Sequence, residues 1–265
     1  MMEIVRLALE EDIGPGDVTS KACVPEDCVA RATFLARETL VLGGVEVLQQ
    51  IFPEITLLKH DGDVCHDGDI IARVEGNARL LLERERVSLN FLQRLSGVAS
   101  LARQFAEAVA GSKCRVLDTR KTTPGMRILE KRAAAAGGIT NHRVGLFDAI
   151  LIKNNHIAAA GSLREAVLRA REQSPLPIEA EVRTLAELEE ALACGVSHLL
   201  LDNLTPAEAA DWIRQIEGRA TVELSGGINL RTVRAYADTG ADFVSAGVIT
   251  HSARSMDISL RLELL

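Results

Sequence analysis

The sequence predicts an α/β protein whose second half is a parallel α/β barrel. Three observations carry this. From residue 113 onward, strand-length apolar runs alternate with helical stretches, the pattern of βα units around a parallel sheet. The runs CRVLDTRK (114–121), DAILIK (148–153), PIEAEV (177–182), HLLLDN (198–203), ATVELSGG (220–227) and DFVSAGV (242–248) read as continuous apolar strands buried on both faces. Candidate chemical groups fall at the carboxyl end of nearly every run, where barrel active sites form, whereas an open sheet would concentrate them at one switch point.

The elements follow in order. A short acidic helix (Glu3 to Glu11) leads through the turn GPGD (14–17) to strand candidates at 29–42 and 70–75. Between these, DGDVCHDGD (61–69) reads as turns. It is no calcium loop, because Cys65 stands where an oxygen ligand is needed and no Glu closes the twelfth position. The stretch LLLERERVSLNFLQRLSGVASLARQFAEAVAG (80–111) has helical apolar spacing, with a break expected at Gly97. Its end sets the expected division: an N-terminal domain over 1–108 and the barrel over 109–265. Within the barrel, Ser162 with Glu165, Thr184 with Glu187, and Thr205 with Glu208 are capping boxes, the last with Pro206 at the first helical position. Asn229 is a further expected N-cap.

Composition narrows the function. With 265 residues, 47% hydrophobic and 25% charged, the chain is globular and long enough for a sizeable core. Aromatics are only 3%, so the core is aliphatic and base-stacking platforms are scarce. That scarcity and the net charge of −7 argue against nucleic-acid binding. No apolar run approaches the ~20 residues of a membrane span. The acidic N-terminus lacks the pattern of a secretory signal, and five dispersed cysteines without C-x-x-C fit a reducing cytoplasm.

The average conceals a local field. Residues 113–153 hold nine Lys/Arg against three acids, which makes this window +6 and leaves −13 for the rest. The strand ends there offer Arg120, Lys121, Arg143 and Lys153, with His142 nearby. Such a group repels itself unless anions fill it, and guanidinium forks suit carboxylates and phosphates. Later strands end instead in Glu181 and Asp202, which can hold ribose hydroxyls or a divalent metal. Last come SGG (225–227) and SAGV (245–248), where backbone N–H groups can approach a phosphate. A mouth with cationic, acidic and phosphate sides suits transfer between an acidic substrate and a phosphosugar.

At DTRKTTPGMRILEKRAAAAGGITNHRVGLFDAILIKNNH (118–156) the sequence resembles the quinolinate phosphoribosyltransferases. The likeness continues in register through LEEDIGPGDVTS (9–20), ERVSLNFLQRLSGVAS (85–100), EAEV (179–182), LLLDN (199–203), ELSGGI (223–228) and SAGVITHSA (245–253). It implies an N-terminal open α/β sandwich, an incomplete barrel of seven strands, and a homodimer or higher homo-oligomer with shared sites. It also implies quinolinate and phosphoribosyl pyrophosphate as substrates and Mg2+ as cofactor. On this resemblance Arg86 (from the partner subunit), Arg120, His142, Arg143 and Lys153 would surround quinolinate, and Thr119 would be a further substrate-binding residue. Lys121, Glu181 and Asp202 would hold the phosphoribosyl group and its metal. Ser225, Gly226, Gly227, Ala246, Gly247 and Val248 would cradle its 5′-phosphate near His251.

Two positions depart from the family pattern: Asn154 stands where an acid is usual, and Ile139 where a third glycine is usual. Neither removes a site residue. Other readings of the same residues are a molybdenum-transport-associated paralogue, a Schiff-base aldolase using Lys153, and a binding protein on a degenerate barrel.

Overall fold

In a computed structural model, which describes residues 2–265, the chain folds into two units. The first comprises the chain up to Arg103, Thr123–Gly138 and Ser252–Leu265; the second comprises Gln104–Thr122 and Ile139–His251. The expected single cut after residue 108 therefore does not describe the packing, since two later segments return to the N-terminal unit.

The N-terminal segment runs α1 (Glu3–Ile13), α2 (Val18–Cys23), β1 (Val29–Ala36), β2 (Leu40–Val41), α3 (Val45–Ile51), β3 (Thr56–Leu57), β4 (Val64–Cys65), β5 (Ile70–Asn77) and α4 (Ala78–Ala108). Then follow β6 (Arg115–Leu117), α5 (Arg127–Ala136), β7 (Ile150–Ile152), α6 (Asn154–Ala160), α7 (Leu163–Gln173), β8 (Ile178–Val182), α8 (Leu185–Ala193), β9 (His198–Asp202) and α9 (Pro206–Ile216). The chain closes with β10 (Thr221–Ser225), α10 (Val233–Ala237), β11 (Phe243–Ser245), α11 (Val248–His251) and β12 (Ile258–Leu264).

In the first unit, β12, β1, β5 and β3 form an antiparallel sheet in that order. Strand β1 alternates strictly, burying Ala30, Ala32, Phe34 and Ala36 on one face. The chain's end is consumed here: Ala30 pairs with Leu264 and Ala36 with Ile258, so β12 is a structural strand of the N-terminal unit. The segment 61–69 holds the expected turns on either side of a short strand that the sequence did not indicate, β4, which pairs antiparallel with β2. Gly62 and Gly68 take positive φ, while the Asp63 and Asp69 carboxylates accept the backbone N–H groups of His60 and His66.

Helix α4 is one continuous helix, without the break expected at Gly97. A Cβ at Gly97 would lie 1.8 Å from the Arg254 carbonyl oxygen, so the glycine permits a close backbone approach. Helix propensity alone would credit Gly97→Ala with about 1 kcal/mol. The overlap reverses that sign. We expect a net destabilisation of about 1–3 kcal/mol, measured as a lower denaturation midpoint in urea. Gly137 is a second close approach, its Cβ position 2.4 Å from the Ala99 carbonyl oxygen. Beside it, fully buried Glu130 accepts from Arg94 at 2.8 Å and from the Thr123 hydroxyl at 2.7 Å, which fastens α5 to α4.

The second unit is a parallel sheet in the order β6-β11-β10-β9-β8-β7, so all six strand runs read from the sequence are present. Thr140 adds a parallel bridge to Leu117, a seventh position beside β6. Neighbours in chain order pair from β7 to β11, and β11 returns to β6, giving an incomplete barrel.

Continuous apolar runs hold for β7 and for Leu199–Leu201 of β9, but several strands are not apolar on both faces. Ala180, Val182, Leu199, Leu201, Val222, Leu224 and Val244 alternate with Glu179, Glu181, Asp202, Glu223, Ser225 and Ser245. This is a period of two, with the polar set on one face. Thr184 and Thr205 close full capping boxes, and Ser162 accepts the Glu165 N–H. Asn229 does not cap a helix. Its side chain accepts the Arg231 N–H in a turn, and α10 begins four residues later, after Thr232.

Candidate active site

The polar faces of these strands and the loops after them enclose a cavity of about 800 Å³. It brings together Thr119, Arg120, Lys121, His142, Arg143, Lys153, Glu181, Asp202, Ser225, Gly226, Gly227, Ala246, Gly247, Val248 and His251, fifteen of the sixteen site residues read from the sequence. Arg86 is the exception, an exposed side chain on α4 that is not among the lining residues. Asn154 also lines the cavity, so that departure from the family pattern lies at the site itself.

The cationic side follows β6 and β7. Buried Asp118, at the end of β6, accepts the Asn141 amide at 2.7 Å and the His142 backbone N–H at 2.8 Å. These bonds hold residues 141–143 beyond the Thr140 bridge to Leu117. Arg143 is then fixed by a bond from Nη1 to the Ala149 carbonyl at 3.1 Å. Burial, followed by the charge of Arg120, pushes the Arg143 guanidinium below its ordinary value. The pair is therefore electrostatically uncomfortable until an anion arrives. Lys153 follows β7 with its backbone N–H held by His156 Nδ1 at 2.9 Å.

His142 is held more firmly than the sequence indicated. Its Nε2 lies 3.2 Å from Glu179 and 3.4 Å from Glu223, and its Nδ1 accepts the Arg143 backbone N–H at 2.6 Å. Burial opposes protonation of the imidazole, but the hydrogen bonds and charges of Glu179 and Glu223 outweigh it and raise His142 to about 10. Burial also pushes the Glu223 carboxyl up, with the Glu179 charge adding and the His142 contact opposing. His142 and Glu223 thus retain a proton between them. While Nδ1 accepts the Arg143 N–H, the imidazole is neutral with its proton on Nε2, and the further proton resides on the Glu223 carboxyl; an imidazolium would have to give up that backbone contact, and either form leaves a net charge of −1.

Because the folded value exceeds the ordinary 6.5, this stabilisation is complete below about pH 6.5 and disappears as pH rises through about 10. Thermal melts across that window should show wild-type stability declining with pH, and the decline should be shallower in His142→Gln. Parallel slopes in the two proteins would contradict the shared proton.

Glu181 and Asp202 form the acidic side, one from β8 and one from β9. Glu181 is buried and its Oε1 accepts no aligned hydrogen bond. Asp202 accepts from Ser225 Oγ at 2.7 Å and Asn203 Nδ2 at 2.6 Å. Arg183 Nη2 reaches both acids, 2.6 Å from Glu181 Oε1 and 3.4 Å from Asp202 Oδ2. Two hard carboxylates on neighbouring strands are donors of the kind that could hold a divalent cation such as Mg2+.

The glycine loops complete the cavity. A Cβ at Gly226 would fall 2.3 Å from Asn203 Oδ1, so only glycine lets the β10 loop pass the β9 loop. Gly247 similarly admits the Lys121 stem, and the Thr250 hydroxyl donates to the Lys121 carbonyl at 2.8 Å. Sequence reading missed Arg183, Glu179 and Glu223. The two glutamates sit at alternate positions in IEAEV and TVELS, and the period of two could have placed them on the inner face.

Comparison with known proteins agrees with this geometry. Profiles of the quinolinate phosphoribosyl transferase N-terminal and C-terminal domains match residues 17–96 and 98–261. A probable nicotinate-nucleotide pyrophosphorylase [carboxylating] of Bacillus subtilis is 40% identical over 96% of this chain and 90% of its own. The chloroplastic nicotinate-nucleotide pyrophosphorylase [carboxylating] of Arabidopsis thaliana is 39% identical over 98% of this chain and 82% of its own. The solved nicotinate-nucleotide pyrophosphorylase of Francisella tularensis superposes with a TM-score of 0.95 at 36% identity, covering 99% of this chain and 95% of that one. With both domain profiles in register and the expected barrel residues around one cavity, the chain belongs to the quinolinate phosphoribosyl transferase family.

Proposed function

We propose that the chain transfers the phosphoribosyl group of phosphoribosyl pyrophosphate to the ring nitrogen of quinolinate, with release of pyrophosphate and CO2 and formation of nicotinate mononucleotide. The observation that carries this is the opposition, across one cavity, of the Arg120–Arg143–Lys153 wall and the Glu181–Asp202 pair. Quinolinate bears two adjacent carboxylates. Each charge-assisted hydrogen bond to them contributes roughly 1.5–3 kcal/mol, so several cations are needed to offset desolvation.

The chemistry follows from this placement. As the bond from ribose C1′ to the diphosphate oxygen breaks, positive charge develops on the ribose, and the carboxylates of Glu181 and Asp202 stabilise it. Lys121 faces the departing diphosphate. The quinolinate nitrogen, held in line by the cationic wall, donates its pair to C1′ and becomes a pyridinium. The C2–carboxylate bond then breaks, its electron pair passes to C2 of the cationic ring, and CO2 leaves; a proton taken up at C2 completes nicotinate mononucleotide. The pyridinium is the electron sink, so decarboxylation itself requires no organic cofactor. Glu181 and Asp202 would hold Mg2+, which would neutralise charge on the diphosphate.

The same reading has Arg86 entering from a second subunit, which accords with its exposure on α4. All five cysteines are free thiols, which suits a reducing compartment such as the cytoplasm. No helix among the described residues is long and apolar enough to cross a membrane.

The test is formation of nicotinate mononucleotide by the purified chain from quinolinate, phosphoribosyl pyrophosphate and Mg2+. Product is expected from quinolinate and lost on chelation of the metal. A preference for nicotinate as acceptor would overturn the reading.

A further inference from the structure

Arg183 lies immediately after β8, and its main chain is fixed: the backbone N–H donates to Glu187 Oε2 at 2.7 Å, beside the Thr184–Glu187 capping box. Only the side chain is left to move. It extends from the rim of the cavity, 45% exposed, and places the single nitrogen Nη2 between Glu181 Oε1 and Asp202 Oδ2. One nitrogen shared between two acids is not the bidentate fork that makes arginine pairs strong. Asp202 is meanwhile already supplied by Ser225 and Asn203, and Glu181 Oε1 gains charge from Arg183 without an aligned hydrogen bond. The guanidinium therefore supplies positive charge in a form that is easily withdrawn.

We infer that Arg183 is an exchangeable counter-ion of the acidic pair: it neutralises Glu181 and Asp202 when no substrate is bound and gives way to the divalent cation that accompanies the diphosphate. This rests on the reading of those two acids as the cation-holding pair. The physical reason is exclusion. Both positive groups claim the same two carboxylate oxygens, and a cation of small radius with its waters cannot share the space that Nη2 occupies. Arg183 thus raises the cation concentration the site requires and keeps two close acids from standing unneutralised in the empty cavity. The role is one of positioning and selectivity; Arg183 transfers no proton and forms no covalent bond.

Binding of Mn2+ to the full-length, substrate-free protein, followed by calorimetry or by the electron paramagnetic resonance of free Mn2+, tests this independently of turnover. A half-exposed ion pair contributes up to about 1 kcal/mol, so Arg183→Gln should bind Mn2+ roughly fivefold more tightly than wild type, with Arg183→Lys between them. Circular dichroism and a thermal melt establish that each variant is folded. Equal or weaker Mn2+ binding by folded Arg183→Gln would overturn the counter-ion role. Glu181→Gln in the Arg183→Gln background separates the two ideas. If that double variant loses Mn2+ binding while Arg183→Gln is no tighter than wild type, only the role of Arg183 falls. If it binds Mn2+ as Arg183→Gln does, the assignment of the cation to Glu181 falls, and the inference with it.

Discussion

Arg143→Ala should lower kcat/KM for quinolinate by about 3–5 kcal/mol, between two and nearly four powers of ten, the usual cost of leaving one member of a buried charge pair without its partner. Arg143 is placed for this by the Ala149 carbonyl and by its backbone bond to His142. Its destabilised guanidinium also gives the prediction a second, opposing readout. Because burial and Arg120 already work against the charge of Arg143, removing it relieves repulsion in the empty protein. The thermal midpoint should stay level or rise while catalysis collapses. Activity within threefold of wild type would remove Arg143 from the binding wall. A fall in stability matching the fall in activity would make its role structural.

The second large effect concerns how the site is completed. Arg86→Ala and Lys153→Ala should each be inactive alone, since one removes the cation expected from the partner subunit and the other a cation of the cavity's own wall. After subunit exchange, a heterodimer of the two carries both lesions in one site and neither in the other. Random pairing in a two-fold dimer then restores roughly a quarter of wild-type specific activity. Differently tagged chains, co-purified to show that heterodimers have formed, make the experiment decisive. Heterodimers without recovered activity would place Arg86 outside the partner's site.

The barrel and most of its site were legible because both are written locally. Each βα unit announces itself by an apolar run, a polar end and a capping residue, and Thr184, Glu187, Thr205 and Glu208 behave as their spacing indicates. What was not legible depends on partners distant in sequence. Gly97 looked like a helix break because its neighbour, the Arg254 carbonyl, arrives more than 150 residues later. The C-terminal strand β12 could not be assigned to the N-terminal sheet, since an edge strand chooses its partner through tertiary register. Thr123–Gly138 joins the N-terminal unit through buried Glu130 and half-buried Arg94, which read in sequence as two ordinary surface charges. Glu179 and Glu223 were hidden in runs taken as wholly apolar, and only the shared inner face shows that they clasp His142. Arg183 carries no motif of its own. Its reach to Glu181 and Asp202 is a matter of side-chain geometry.

The central claim is that one cavity couples diphosphate departure to loss of a carboxylate from a dicarboxylate acceptor. Quinolinate labelled at its 2-carboxylate, incubated with the purified protein, phosphoribosyl pyrophosphate and Mg2+, tests it directly through the ratio of labelled CO2 to pyrophosphate released. The account predicts one CO2 for each pyrophosphate throughout the reaction, and neither product when nicotinate replaces quinolinate. Pyrophosphate release without labelled CO2, or equal pyrophosphate release with nicotinate, would contradict it.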